Sequence, residues 1–68
     1  MEMIPVSSSN MVAVGYNSSN QELTVQFHNG VYTHTGVPHY IYEGLLSSSS
    51  KGSYYHQNIK RYPFRRGY

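Results

Sequence analysis

A chain of 68 residues without cysteine cannot hold two ordinary domains, a disulfide, a thiolate metal site or a cysteine nucleophile. Charged residues make up 12% of it, about half the usual share, while tyrosine occurs eight times. The net charge of +2 hides an asymmetry that favours anionic partners: Glu2, Glu22 and Glu43 all precede Lys51, Lys60, Arg61, Arg65 and Arg66.

The chain opens on a hydroxyl-rich stretch, Ser7-Ser8-Ser9-Asn10, and then reads as strands. Val12, Val14 and Tyr16 alternate, as do Leu23, Val25 and Phe27, and residues 31–35 favour extended chain. Asn17-Ser18-Ser19-Asn20 is a four-residue loop, and Asn29-Gly30 is a preferred two-residue hairpin turn with positive φ. These loops place Phe27 opposite Tyr32, Val25 opposite His34, Val14 opposite Leu23 and Val12 opposite Val25. Paired residues share a face, so one face carries Val12, Val14, Tyr16, Leu23, Val25, Phe27, Tyr32 and His34. The other carries Ala13, Thr24, Gln26, Val31, Thr33 and Thr35, a small and uncharged surface that suits either solvent or a second subunit.

Val37-Pro38 starts a helix, because proline is tolerated in the first helical turn. Ile41, Tyr42, Leu45 and Leu46 form its apolar stripe, and Gly44 weakens it. After Ser47-Ser48-Ser49-Ser50, a second short helix runs from about Lys51 to Lys60, with Tyr55 and Ile59 four apart on its buried side. Pro63 stops it and leaves a basic tail. The expected fold class is α+β: a three-stranded antiparallel β-meander packed by two short C-terminal helices. It forms one domain over residues 1–68, with a core at about 6–62 and a basic tail at 60–68. No apolar run nears the ~20 residues of a membrane span and no secretory signal opens the chain, so a cytoplasmic protein without a membrane partner is expected.

The order Ser8-Ser9, Val14-Gly15-Tyr16, Leu23-x-Val25-x-Phe27-x-x-Gly30, Tyr32, Val37-Pro38, Ser50-Lys51-Gly52, Tyr54-Tyr55-x-x-Asn58-Ile59, Tyr62-Pro63 resembles the KTSC domain family. That family comprises small stand-alone bacterial and phage proteins and a C-terminal appendage of some lysyl-tRNA synthetases. The resemblance covers about residues 6–66. It implies one small domain, RNA binding as a suggestion from the synthetase setting, and no catalytic residues to carry over. The family's central Tyr-x-Tyr reads Tyr32-Thr33-His34 here.

The residues argue against catalysis and metal binding. There is no aspartate, the three glutamates are scattered, and His28, His34, His39 and His56 lack close spacing and acidic or cysteine co-ligands. No catalytic residue, metal site or cofactor is expected.

Ser50, Lys51 and Gly52 belong to a small-residue loop entering a helix, where backbone N–H groups, hydroxyls and an ammonium can meet a phosphate; a capped linker explains them equally. Lys60, Arg61, Arg65 and Arg66 are further phosphate candidates, or else a solvated tail. Tyr54, Asn58 and Tyr62 are candidates for stacking on or reading a base, or else for packing and bracing the tail.

Three functions follow. The first is a non-enzymatic binding protein for a small phosphorylated nucleotide, working as a homo-oligomer with sites between subunits. By analogy with small phage proteins, it would sequester a nucleotide immune signal, such as a cyclic oligonucleotide or an ADP-ribose derivative, in the host cytoplasm as an anti-defence device. The second is an RNA-binding module and the third a protein–protein interaction module. Five cations cap the salt slope for RNA near ~3.5, and aromatics outnumber them two to one, which favours a small stacked ligand over a long backbone.

Overall fold

The computed structural model describes residues 2–68. Among these residues the chain forms an antiparallel sheet of five strands in sequential order: β1 (Ile4–Pro5), β2 (Met11–Asn17), β3 (Glu22–Phe27), β4 (Gly30–His34) and β5 (Phe64–Arg66). Between β4 and β5 come α1 (His39–Ser47) and α2 (Lys51–Tyr54), and α2 continues directly into a π-helical turn (Tyr55–Ile59). The α+β class and the two short helices agree with the expectation. The three-stranded sheet does not, because a strand is added at each edge.

Neither added strand carries the alternation that marks β2 and β3. β1 is two residues long and pairs Ile4 with Val14 and Pro5 with Ala13; proline is acceptable there because an edge strand need not donate from both sides. β5 is the basic tail itself. The Thr35 N–H donates to the Pro63 carbonyl at 2.9 Å and the Gly67 N–H to the Val31 carbonyl at 2.8 Å. Between these bonds Tyr32 faces Arg66, Thr33 faces Arg65 and His34 faces Phe64. Pro63 does stop the helix, and the chain then pairs instead of trailing away.

Both hairpins sit one residue from their expected positions. The β3–β4 turn is His28-Asn29, so Phe27 faces Gly30, Val25 faces Tyr32 and Leu23 faces His34. Gly30 therefore lies in the strand, and it is not among the residues with positive φ. The β2–β3 loop spans 18–21, so Tyr16 faces Leu23 and Val14 faces Val25. Each displacement moves the pairing by two positions, which leaves every side chain on its expected face. Val12 is the exception. The register shifts between Met11 and Ala13, and Met11, 1% exposed, takes the core place expected for Val12.

The core joins Met11, Val14, Leu23 and Val25 of the sheet to Val37, Ile41, Tyr42, Leu45, Tyr55 and Ile59. Each such burial contributes roughly 1.5–3 kcal/mol. Leu46, assigned to the apolar stripe of α1, is instead 37% exposed. The entry to α1 is fixed by two loops: Gly36 takes φ 71°, Gln21 takes φ 56°, and the Val37 N–H donates to the Gln21 carbonyl at 2.9 Å. Tyr16 stacks on Tyr42 at 4.8 Å and its hydroxyl donates to the Val37 carbonyl at 2.5 Å. Beneath the helices this leaves a wide sheet only partly covered.

Candidate ligand site: a serine groove and an aromatic recess

Two serine-rich segments far apart in sequence form one open groove of about 530 Å³. Residues 7–10, leading into β2, line one part of it; residues 49–53, entering α2, line another, and His56 and Gln57 complete it. No carboxylate is among its lining residues. The Ser8 Oγ accepts from the Asn10 and Met11 N–H groups at 3.3 and 3.4 Å, which holds the first loop and leaves its hydroxyl proton to donate. In the second loop the Ser48 Oγ donates to the Ser50 carbonyl at 2.9 Å and accepts the Ser50 N–H at 3.1 Å. The Lys51 ammonium donates to the Ser48 carbonyl at 3.0 Å, which anchors it at the groove with two further donors to offer.

A second depression of about 400 Å³ lies between the inner sheet face and the second helix. Its side chains come from β3, β4, β5 and the π-helical turn. Phe27 meets Tyr55 (5.2 Å), Tyr55 meets His34 (5.4 Å), His34 meets Phe64 (5.6 Å), Phe64 meets Tyr32 (5.5 Å) and Tyr32 meets Phe27 (6.0 Å). The five rings close a circuit, mostly in edge-to-face contact. Lys60 and His56 also line it, and the Arg66 guanidinium lies 5.6 Å from the Tyr32 ring centre.

The floor of this recess is fixed. His34, 1% exposed, has its Nε2 2.7 Å from the Tyr55 hydroxyl and its Nδ1 3.1 Å from the Tyr62 carbonyl. A carbonyl can only accept, so Nδ1 carries the proton and Nε2 accepts from Tyr55. Burial lowers the His34 pKa, partly opposed by the bond to Tyr62, and burial raises that of Tyr55. His34 thus stands in the core as a neutral imidazole.

The residues expected to bind separate into groups. Ser50, Lys51 and Gly52 line the serine groove, and Lys60 lines the aromatic recess. Arg61 lines neither; it is exposed, 6.0 Å from the Tyr62 ring centre. Arg65 projects from the opposite sheet face and forms a two-pronged ion pair with Glu22 at 3.0 and 3.1 Å, which lowers the Glu22 pKa and raises its own. Tyr54 packs against α1, its hydroxyl donating to the Ile41 carbonyl at 2.9 Å. Asn58 is half-buried and donates to the Tyr54 carbonyl at 3.3 Å, and Tyr62 packs against the core. The rings that do surround a recess, Phe27, Tyr32 and Phe64, were not singled out for binding. Phe27 and Tyr32 were legible as inner-face residues, whereas Phe64 joins them only once β5 forms.

Among the described residues no three His, Cys, Asp or Glu side chains lie close enough to hold a metal ion, and no helix is long and apolar enough to cross a membrane. The architecture is that of a small α+β domain with one antiparallel sheet, whose helix-bearing side carries a polar groove beside an aromatic recess. The chain belongs to the KTSC domain family, which it matches over residues 7–64. It is similar to the crystal structure of a KTSC domain protein from Yersinia pestis, with a TM-score of 0.95 and 33% sequence identity. That similarity covers 98% of this chain and 97% of the other. It is also 30% identical over 66 residues to an uncharacterized protein of Stutzerimonas stutzeri (strain A1501), covering 96% of this chain and 93% of that one.

Proposed function

We propose that the chain is a non-enzymatic binding protein for a small phosphorylated nucleotide, with the phosphates held in the serine groove. The observation that carries this reading is the convergence of residues 7–10 and 49–53 on one carboxylate-free groove beside the Lys51 ammonium. Hydroxyl donors and an anchored cation are what a phosphate needs, and their geometry is set by bonds within each loop. The groove is open, so a second copy of the chain would serve to enclose a ligand, in keeping with a homo-oligomer that sequesters a nucleotide signal.

Isothermal titration with pyrophosphate, ADP and an RNA of ten nucleotides tests the reading, with Lys51→Ala beside the parent. Saturable binding of pyrophosphate and ADP that weakens at least tenfold in the variant supports it. Equal binding by parent and variant would remove the phosphate assignment.

RNA binding is the second reading. It is favoured by the continuity of the surface: His56 lines both the groove and the aromatic recess, and a further hollow at His28 shares Asn10 with one and Phe27 and Asn29 with the other. A decamer bound much more tightly than ADP, with steep salt dependence, would select it.

A further inference from the structure

The geometry assigns the aromatic recess as the seat of a planar heteroaromatic ring, the base of the same nucleotide whose phosphates occupy the serine groove. This deepens the reading above and rests on it for the identity of the ligand, but the observations that support it are separate.

The recess is built for a ring and not for an aliphatic chain. Five aromatic side chains surround it in a closed circuit of contacts, so a flat guest meets ring faces and edges on several sides. The floor is held still by the Tyr55–His34–Tyr62 hydrogen bonds, which orient two of the five rings. A rigid aromatic site spends little conformational entropy on capture.

The wall facing solvent is Phe64. It is 58% exposed, an unusual position for a phenylalanine in a chain with so small a core. A stacked ring would cover that exposed face.

The charges around the recess point to the occupant. Lys60 lines it, Arg66 lies against Tyr32, and no acid is among its lining residues. An apolar peptide would gain nothing from those cations, whereas a base joined to phosphate satisfies both the rings and the charge. The shared His56 puts the recess next to the serine groove, so one molecule with a ring at one end and phosphate at the other engages both.

The experiment is a titration of the full chain, ¹³C-labelled in its aromatic side chains, with adenosine, ADP and pyrophosphate in turn. Phe64→Ala and Lys51→Ala are run in parallel, and circular dichroism confirms that both are folded. Adenosine and ADP are expected to shift the Phe27, Tyr32 and Phe64 ring signals, which pyrophosphate leaves in place. Phe64→Ala should weaken ADP roughly 5- to 140-fold, the worth of one stacking contact, without changing pyrophosphate binding.

Should ADP bind through Lys51 while Phe64→Ala binds it as tightly as the parent, the recess assignment falls and the phosphate site stands. If adenosine shifts the rings but Lys51→Ala changes nothing, the recess stands and the phosphate site falls. Failure of both adenosine and ADP to move the ring signals overturns the assignment. If Phe64→Ala proves unfolded, Phe64→Leu, which keeps the apolar volume but not the ring, replaces it with the same expected loss.

Discussion

The Tyr55 hydroxyl donates to the Nε2 of His34 across 2.7 Å, joining the π-helical turn to the end of β4 between two buried side chains. The bond requires an unprotonated Nε2, since Nδ1–H is committed to the Tyr62 carbonyl. Replacing Tyr55 by phenylalanine leaves a buried acceptor without its donor and is expected to cost ~1–3 kcal/mol in urea unfolding.

The same pair predicts how stability depends on pH. Burial holds the His34 pKa in the folded chain below its ordinary 6.5, so the unfolded chain binds the proton more readily. The contribution of His34 is complete above pH 6.5 and is lost as pH falls from there through the lower folded value. Unfolding free energies measured between pH 7.5 and 5 should therefore decline, and His34→Gln should flatten that decline. An unchanged slope in the variant would assign the effect to other groups.

Gly44 offers a test of packing against propensity. Alanine is the better helix former by ~1 kcal/mol, yet a Cβ at this position would lie 2.1 Å from the Tyr54 hydroxyl oxygen and 2.7 Å from its ring. Gly44→Ala must displace the phenol that donates to the Ile41 carbonyl. We expect a loss of ~1–3 kcal/mol and a fall of ~4–8 °C in Tm per kcal/mol. A higher Tm would show that Tyr54 moves aside freely.

Lys51 and Arg61 separate by position. Lys51→Ala is expected to weaken pyrophosphate at least tenfold, while Arg61→Ala, outside both depressions, should change affinity less than twofold. Equal losses in calorimetry would show that charge alone, not the groove, attracts the anion.

Arg65 is expected to act on the sheet and not on a ligand. Its pair with Glu22 ties β5 to β3 across the opposite face. Arg65→Ala should speed hydrogen exchange at the Gly67 amide, which donates to Val31 at the end of β5, and leave phosphate affinity unchanged. Exchange at the parent rate would show that backbone pairing alone holds the tail.

Much of this molecule is legible in its sequence, because alternation and helical spacing are local consequences of which residues must be buried. Val14, Leu23 and Val25 alternate on the sheet, Tyr55 and Ile59 fall four apart, and all five enter the core as that spacing requires. Apart from Val12, the residues of each strand keep their expected face although both turns lie one residue away, since a displacement of two pairings conserves the side chain's direction. The ordered motifs from Ser8 to Pro63 were enough to point to the family. The serine loops were visible as candidate phosphate ligands, for hydroxyls and a lysine are conspicuous by type.

Tertiary structure decided what depends on neighbours distant in the chain. Ile4–Pro5 and Phe64–Arg66 carry no strand pattern and become strands because β2 and β4 offer unpaired edges. That pairing turns Arg65 toward Glu22 and brings Phe64 beside His34, which completes a ring of aromatics. Residues 7–10 and 49–53 become one groove for the same reason. Periodicity reports which side of an element is buried, whereas the partners it meets are set by packing across the whole fold.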